Sequence, residues 1–583
     1  MNYLFAIFNF GIESRSLPLG IAYVATALRN TGRNILGFND ATYENPLKAL
    51  LEKINKEKTD VLCIGELSVN YSPLRDTINA VRKQFTHIKI IVGGSIISSN
   101  PELMAANLDM DFGCVGYGEE TICELADCLE RNGDFSSING LVYKDKSGKI
   151  ILTSRRNEPN NLDNISYAAL ELFGFKGGYL PVLGSRSCPN NCTFCFQQSN
   201  YKYQQRSLDG IFAEIDYWIE KFEITHIGFS DEVFGCNKEY VLEFCRRIKE
   251  YNINFTICYR VNLVTEELIR TLADSGCTDI VFGIESLNQT VLDSMNKKIT
   301  VEQIKNALTL CRKYNTNIIG AVIFGDCAET YEMALESLRW CVENLHYRII
   351  LGFVLAFPGT TIYKQAVKSG RINDQHKFLI DGCPIVNISA MNDEEFTKLR
   401  RVVELAHMMS GSLRKKPLLE VLFYAVCGFC GANNSFSHKY IVDVAFDEFG
   451  FCNKRCKCGY RVRISQHEIA EQYLQKHLLN NFYFEEFNYS DKKTIIWGAT
   501  PKSKFRLMAN RKMYESVVAV VDRNYERFEN GLLGFAVQKP DILRGFEFDV
   551  LYVGSQFYRE GILAEAKEIL GFEFDNKEIM ETD

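Results

Sequence analysis

The chain has 583 residues, 46% of them hydrophobic and 24% charged; at roughly 150 residues per domain this allows about four domains and excludes a disordered or fibrous chain. Lys and Arg number 66 against 73 Asp and Glu, a net charge of −7, so no global positive field draws the chain to nucleic acid or to an anionic membrane, and a small-molecule substrate is favoured. The longest wholly apolar run, residues 349–357, falls short of the ~20 that span hydrocarbon, so no transmembrane helix is expected. The opening stretch MNYLFAIFNFGIESR lacks the basic segment and cleavage site of a secretory signal, which makes the cytoplasm the expected location. In a reducing compartment the 20 cysteines are read as ligands and buried thiols rather than disulfides.

In chain order, apolar runs at residues 3–8, 34–38, 60–67, 88–92 and 112–115 alternate with helix-length amphipathic stretches. They predict a doubly wound α/β domain over residues 1–150. Such sheets bind ligands at the carboxyl ends of their strands, here the loops with residues 68–71, Gly93 and Gly94, and Gly116 to Glu119, where glycine lets a planar cofactor approach the backbone. Residues 144–164 read as a polar connector. A second series, at 179–184, 226–229, 255–259, 279–284, 317–324 and 349–357, predicts a partial (β/α)6 parallel barrel over 165–410, whose functional residues gather at carboxyl strand ends. Residues 391–413 read as helical, 420–465 as a small Cys-rich module, 466–479 as a helical bridge, and 490–583 as a Rossmann-like domain with strands at 494–497, 517–521 and 550–553.

The segment SRSCPNNCTFCF places Cys188, Cys192 and Cys195 in a C-x3-C-x2-C array directly after the first barrel strand. Three thiolates on one loop hold three irons of a [4Fe–4S] cube and leave the fourth iron open for chemistry; zinc is the competing occupant. Here the sequence resembles the radical S-adenosylmethionine (SAM) superfamily. Phe194 precedes the third cysteine, Gln205–Arg206–Ser207 opens the next helix, and Phe229 to Glu232 stands where that family has Gly-Gly-Glu. Gly283–Ile284–Glu285–Ser286 matches its Gly-Ile-Glu-Ser signature, Gly325 to Thr330 is a variant of the turn near the adenine, and Pro358–Gly359–Thr360 follows the sixth strand. The resemblance implies reductive cleavage of SAM at the cluster, with a flavodoxin- or ferredoxin-type electron donor. Glu232, Asp231 and Arg260 are the candidates for the amine and carboxylate of SAM, and Glu285 and Gly325 for the remainder of its binding site.

Leu17 to Ile21, Ile91 to Gly94 and Asp111 through Gly116 to Thr121 resemble the cobalamin-binding domains that precede one branch of that superfamily. The Asp-x-His-x-x-Gly signature is absent, residues 37–43 reading GFNDATY. The branch commonly binds cobalamin without a histidine ligand. Cobalamin at Gly93, Gly94 and Gly116 would imply methylation of an unactivated carbon; a domain that has lost the cofactor is the competing reading.

Five cysteines fall between Cys427 and Cys458. Tetrahedral zinc needs four. Cys427, Cys430 and Cys458 are assigned, with Cys456 ahead of Cys452, a structural zinc ribbon standing against an auxiliary iron–sulfur cluster. In the last block Asp522, at the end of the strand after Gly498, is reminiscent of the acid that meets a ribose in dinucleotide folds, with a packing or oligomerisation domain as the competing reading. A zinc ribbon followed by such a domain resembles sugar C-methyltransferases, so the expected enzyme is an oxygen-sensitive, cobalamin-dependent radical SAM methyltransferase acting on a sugar or sugar nucleotide. The alternatives are a radical SAM dehydratase, epimerase or mutase without cobalamin, and a non-catalytic cofactor or metal sensor.

Overall fold

The computed structural model describes residues 1–8, 17–43, 45–196, 201–344, 347, 349–400, 403, 422–427, 430–437, 451–458, 461–465, 492–499, 516–527, 535–554 and 559–581. The chain forms two compact units, residues 1–340 with 347–396, and residues 341–346 with 397–583.

The first unit holds two large sheets and one small two-stranded one. Strands β1 (Asn2–Ile7), β2 (Asn34–Asn39), β3 (Val61–Gly65), β4 (Lys89–Gly93) and β5 (Phe112–Cys114) are parallel in the order β2-β1-β3-β4-β5. β3, and β1 from Tyr3 onward, are apolar because helices cover both faces: Tyr3 to Ala6 are fully buried, as a parallel sheet requires. The helices Pro46–Glu57 and Pro101–Asn107 each begin on proline, with Asn45 and Asn100 accepting the N–H groups of Lys48 and Leu103, a start that fixes φ and satisfies an otherwise orphaned donor.

One sequence expectation is corrected here. The connector expected at 144–164 begins with a further strand: β6 (Leu141–Lys144) and β7 (Ile150–Leu152) form an antiparallel hairpin that extends the sheet to seven strands. Three apolar residues, Ile150, Ile151 and Leu152, suffice because Asp145 closes the turn, its Oδ1 accepting from Ser147 and Lys149 N–H. The chain that follows is fastened along its length. Arg156 is buried, donating to Thr121 Oγ1 at 2.7 Å, Glu120 at 2.7 Å and Glu124 at 2.5 Å. Further on, Tyr167 O accepts from Thr26 Oγ1 at 3.0 Å and Phe173 O from Asn39 Nδ2 at 3.1 Å.

The second sheet follows. β8 (Gly178–Val182) is succeeded by a two-residue antiparallel pair, β9 (Ser185–Arg186) and β10 (Gln204–Gln205). Then come β11 (Ile224–Phe229), β12 (Asn254–Tyr259), β13 (Cys277–Glu285), β14 (Asn317–Phe324) and β15 (Ile350–Phe353). The six long strands are parallel in the order β15-β14-β13-β12-β11-β8, an open half-barrel. Phe244 is fully buried on the helix Lys238–Ile248, with the rings of Phe212, Phe229, Phe234 and Phe255 at 5.0–5.6 Å.

The second unit contains the hairpin β16 (Leu422–Val426) and β17 (Asn433–Ser437), and a second antiparallel pair, β18 (Phe451–Arg455) and β19 (Arg461–Ser465). A parallel five-stranded sheet follows: β20 (Thr494–Trp497), β21 (Val517–Val521), β22 (Val537–Gln538), β23 (Val550–Val553) and β24 (Glu578–Glu581), in the order β22-β21-β20-β23-β24. Of the helical stretch expected at 391–413, residues 393–400 are helical; most of the rest, and the bridge at 466–479, lie outside the described residues. Among the described residues no helix is long and apolar enough to cross a membrane.

Phe244→Ala is expected to remove about 3–5 kcal/mol from the half-barrel. A lowered urea midpoint for the first unfolding transition, with the cysteine module's metal content unchanged, is the measurement that checks it.

Candidate functional site

The site is set by how the chain leaves β8. Gly184 N–H and Ser185 Oγ donate to the two carboxylate oxygens of Asp231 at 2.7 and 2.6 Å, tying the end of β8 to the end of β11. Burial pushes the Asp231 carboxyl up to about 7. Both of its oxygens are therefore committed to the scaffold. Ser187, at φ +65°, turns the chain into the cysteine loop.

That loop hangs from the ends of two helices, Gln289–Ser294 and Thr361–Lys368. Thr193 N–H donates to Met295 O at 3.1 Å and Thr193 O accepts from Ile362 N–H at 3.2 Å, while Asn296 Nδ2 donates to Asn191 O at 2.8 Å. Inside it Cys195 N–H donates to Cys192 O at 3.2 Å and Asn190 Nδ2 to Cys188 Sγ at 3.4 Å. Phe194 packs against the hydrophobic core. Burial pushes the Cys195 thiol up to about 12, reinforced by Glu232, Cys192 and Cys188 and opposed by Lys297. The three thiols and Glu232 thus share one electrostatic neighbourhood.

The other expected SAM-directed residues surround this loop. Glu232 follows Asp231, and its carboxylate has no hydrogen-bond partner among the described residues; burial raises its pKa. Arg260, at the end of β12, donates through Nη2 to Lys297 O at 2.6 Å and through Nε to Asn262 Oδ1 at 3.1 Å. Glu285 ends β13 with φ +66° and accepts from Lys297 Nζ at 2.6 Å, both side chains being about nine-tenths buried. A Cβ on Gly283 would stand 2.3 Å from Lys297 Nζ and 2.6 Å from Glu285 Oε1, so glycine is required for the pair to form. Sequence reasoning missed Lys297; the signal was the buried acid itself, which needs a cation. At the end of β14, Gly325 N–H donates to Glu329 Oε2 at 2.5 Å. Burial and the adjacent Asp326 hold the Glu329 carboxyl at about 8.

A cavity of about 620 Å³ lies over the carboxyl ends of β1, β3, β4 and β5 and reaches the half-barrel. Its walls include Gly93, Gly94 and Gly116 on one side and Ser185, Arg186, Ser230 and Glu232 on the other. Gly94 has φ +89°, and a Cβ there would stand 2.5 Å from Glu66 O; only glycine lets the loop lie this close. Gly116 N–H donates to Ser98 Oγ at 2.9 Å. Glu66, which is buried, and Arg186, whose side chain is about nine-tenths buried, also line the cavity, and the sequence does not single them out. Glu66 is a lone acid after an apolar strand, and Arg186 stands two residues before the first cysteine.

In the second unit the sulfurs of Cys427, Cys430, Cys456 and Cys458 all lie within 4.8 Å of one another. Cys427 and Cys458 are 3.7 Å apart, Cys430 and Cys456 3.6 Å. The side chain of Cys452 lies outside the described residues. In the last sheet Asp522 accepts from Ala499 N–H at 2.9 Å and from Asn524 N–H at 2.8 Å. One oxygen thereby joins the ends of β20 and β21 and the other closes the turn after β21.

A half-barrel with a three-cysteine loop after its first strand, sharing a cavity with the ligand edge of a doubly wound sheet, defines an α/β enzyme built around a cluster and a second large cofactor. Two stretches of the chain match the domains of known families, a radical SAM domain and a B12 binding domain. The model of the radical SAM superfamily matches residues 182–341 and that of the B12 binding domain residues 10–126. A third, C2185-like, N-terminal, matches residues 490–580. The chain is 28% identical over 431 residues to the uncharacterized methyltransferase PH0819 of Pyrococcus horikoshii, covering 70% of this chain and 90% of that one. It is 26% identical to the bacteriochlorophyllide d C-8(2)-methyltransferase of Chlorobaculum tepidum, covering 48% of this chain and 63% of the other. Its fold is similar to that of the radical SAM methyltransferase TsrM from Kitasatospora setae, solved with cobalamin and a [4Fe–4S] cluster, at TM-score 0.53 and 17% identity over 64% of this chain and 76% of that one.

Lys297→Met is expected to destabilise the first unit by about 3–5 kcal/mol by leaving Glu285 charged, buried and alone. Lys297→Met with Glu285→Gln should recover most of the loss, and a double-mutant cycle from urea denaturation measures the coupling.

Proposed function

We propose that this chain is a cobalamin-dependent radical SAM methyltransferase that methylates an unactivated carbon of a small molecule. One observation carries the reading: Glu232 of the half-barrel and the glycine-rich strand ends of the B12 binding domain line the same cavity. Residues that would face SAM and residues that would face the corrinoid therefore meet in one cavity. The cavity volume lies within the range of cofactor sites. Its largely apolar walls, among them Phe5, Leu19, Ile21 and Ile64, suit the face of a macrocycle.

Cys188, Cys192 and Cys195 would hold the [4Fe–4S] cluster. When bound, the cluster with SAM supplies radical chemistry, and the corrinoid supplies a methyl group. The chain's own residues hold the reactants. Glu232 presents its carboxylate to the amine of SAM. Arg260 and Lys297 keep positive charge beside the thiolates, and Glu285 holds Lys297 in place. The cavity walls exclude water from reactive species. Asp231 is a positioning residue, acting through Gly184 and Ser185. Cys427, Cys430, Cys456 and Cys458 would hold a structural zinc ion. We further assign a cytoplasmic location and a flavodoxin- or ferredoxin-type electron donor. The substrate is proposed as a sugar or sugar nucleotide, on the strength of the parallel sheet at 494–581.

Reconstituted without oxygen, the chain is expected to bind about four irons at the cysteine loop and one corrinoid, and to form S-adenosylhomocysteine together with 5′-deoxyadenosine. 5′-Deoxyadenosine without S-adenosylhomocysteine or corrinoid absorbance would defeat the methyl-transfer reading.

A variant with Cys188, Cys192 and Cys195 all changed to Ala is expected to retain about one zinc ion and no iron. Elemental analysis of that protein decides the occupant of the second cysteine set, since iron retained there would make it a cluster.

A further inference from the structure

Two buried polar atoms in the cavity, one just after β3 of the first sheet and one on β9, have no hydrogen-bond partner among the described residues: Glu66 Oε1 and Arg186 Nη1. Glu66 is 6% exposed and the Arg186 side chain 9%. The rest of each side chain is held firmly. Glu66 Oε2 accepts from Asn70 Nδ2 at 2.8 Å and from Leu67 N–H at 3.2 Å. Arg186 Nη2 is paired with Glu119, and its guanidinium lies 4.8 Å from the centre of the Tyr117 ring and 5.5 Å from that of Tyr23. Neither group can turn away to find another partner without breaking these contacts.

A buried donor or acceptor left unmade costs about 1–3 kcal/mol, more when charged. Two such groups on the walls of one cavity specify what must face them: an acceptor opposite Arg186 and a donor opposite Glu66. A hydrocarbon rim supplies neither. A carboxylate supplies acceptors only, and would set its oxygens against that of Glu66. A primary amide carries both a carbonyl and an N–H, and the rim of a cobalamin is lined with primary amides.

Resting on the corrinoid reading above, we infer that Glu66 and Arg186 are binding residues that read the amide side chains of the corrinoid rim. Arg186 Nη1 donates to an amide carbonyl and Glu66 Oε1 accepts from an amide N–H. The site thereby selects an amidated corrinoid over one bearing a free carboxylate in the same place. The forked guanidinium serves here where a lysine would not, because one nitrogen stays on Glu119 while the other reaches the ligand.

The test is equilibrium binding at pH 8.5, above the value of about 7 to which burial raises the Glu66 carboxyl. The probes are hydroxocobalamin and its separated monocarboxylic acids, each with one rim amide hydrolysed, followed by corrin absorbance on the full chain with its cluster in place. At least one monoacid should bind the unaltered protein about tenfold more weakly than hydroxocobalamin. Glu66→Gln turns the free acceptor into an N–H donor and should bring that monoacid back to within about threefold. Arg186→Lys should weaken hydroxocobalamin about tenfold with iron content unchanged. Equal binding of all monoacids and hydroxocobalamin by the unaltered protein overturns the inference, as does an unchanged pattern in both variants. Hydroxocobalamin that fails to bind the unaltered protein overturns the corrinoid reading itself, whereas binding without discrimination overturns the amide reading alone.

Discussion

The pair of hydrogen bonds that Asp231 accepts from Gly184 and Ser185 fixes the direction in which the chain leaves the first strand of the half-barrel. The next residue, Arg186, is delivered to the cavity, and the one after it, Ser187, takes a left-handed turn into the cysteine loop. The same carboxylate lies beside Glu232, so one buried anchor sets the origin of both the cysteine loop and the neighbouring Glu232 carboxylate. Arg206 N–H, donating to Gly184 O at 2.8 Å, holds the returning chain against the same point. A shift at this junction would move every group that the chemistry needs to keep in register.

Charge around the loop is balanced locally. Lys297 sits between Glu285 and the cysteine loop, and Arg260 grips the backbone carbonyl of Lys297. The cations beside Cys192 and Cys195 are therefore held by carboxylates and carbonyls of the scaffold rather than by solvent. Such an arrangement keeps positive charge where thiolates are wanted without exposing a flexible lysine to the cavity, and it depends on Gly283 leaving room for the ion pair.

Much of this architecture was legible in the sequence because strands buried on both faces read as unbroken apolar runs. All five parallel strands of the first sheet, and the six of the half-barrel, lie where those runs fall. The boundaries blur where apolar residues leave the sheet: β15 stops at Phe353 although the apolar run continues to Phe357, since the chain turns toward Pro358 and Gly359. β7 was overlooked because three apolar residues in a polar stretch carry no period, and only a partner strand gives them a reason to extend. Glu66, Arg186 and Lys297 were overlooked for a different reason. Each draws its meaning from a partner, or from the lack of one, across a distance in sequence that no spacing rule covers. Asp231 and Glu232 looked alike as neighbours, and only the backbone separates an anchor from a cavity residue.

The chain between the two large sheets of the first unit is a strap rather than a tether. Arg156 is locked into the helix Glu119–Arg131, and residues 167 and 173 are pinned to the helix Leu19–Arg29 and to β2. Two sheets joined by a free linker would meet at an effective concentration set by linker length; joined by a strap, they face each other as parts of one solid. The shape of the cavity between them is then settled when the protein folds, with no search left to a linker.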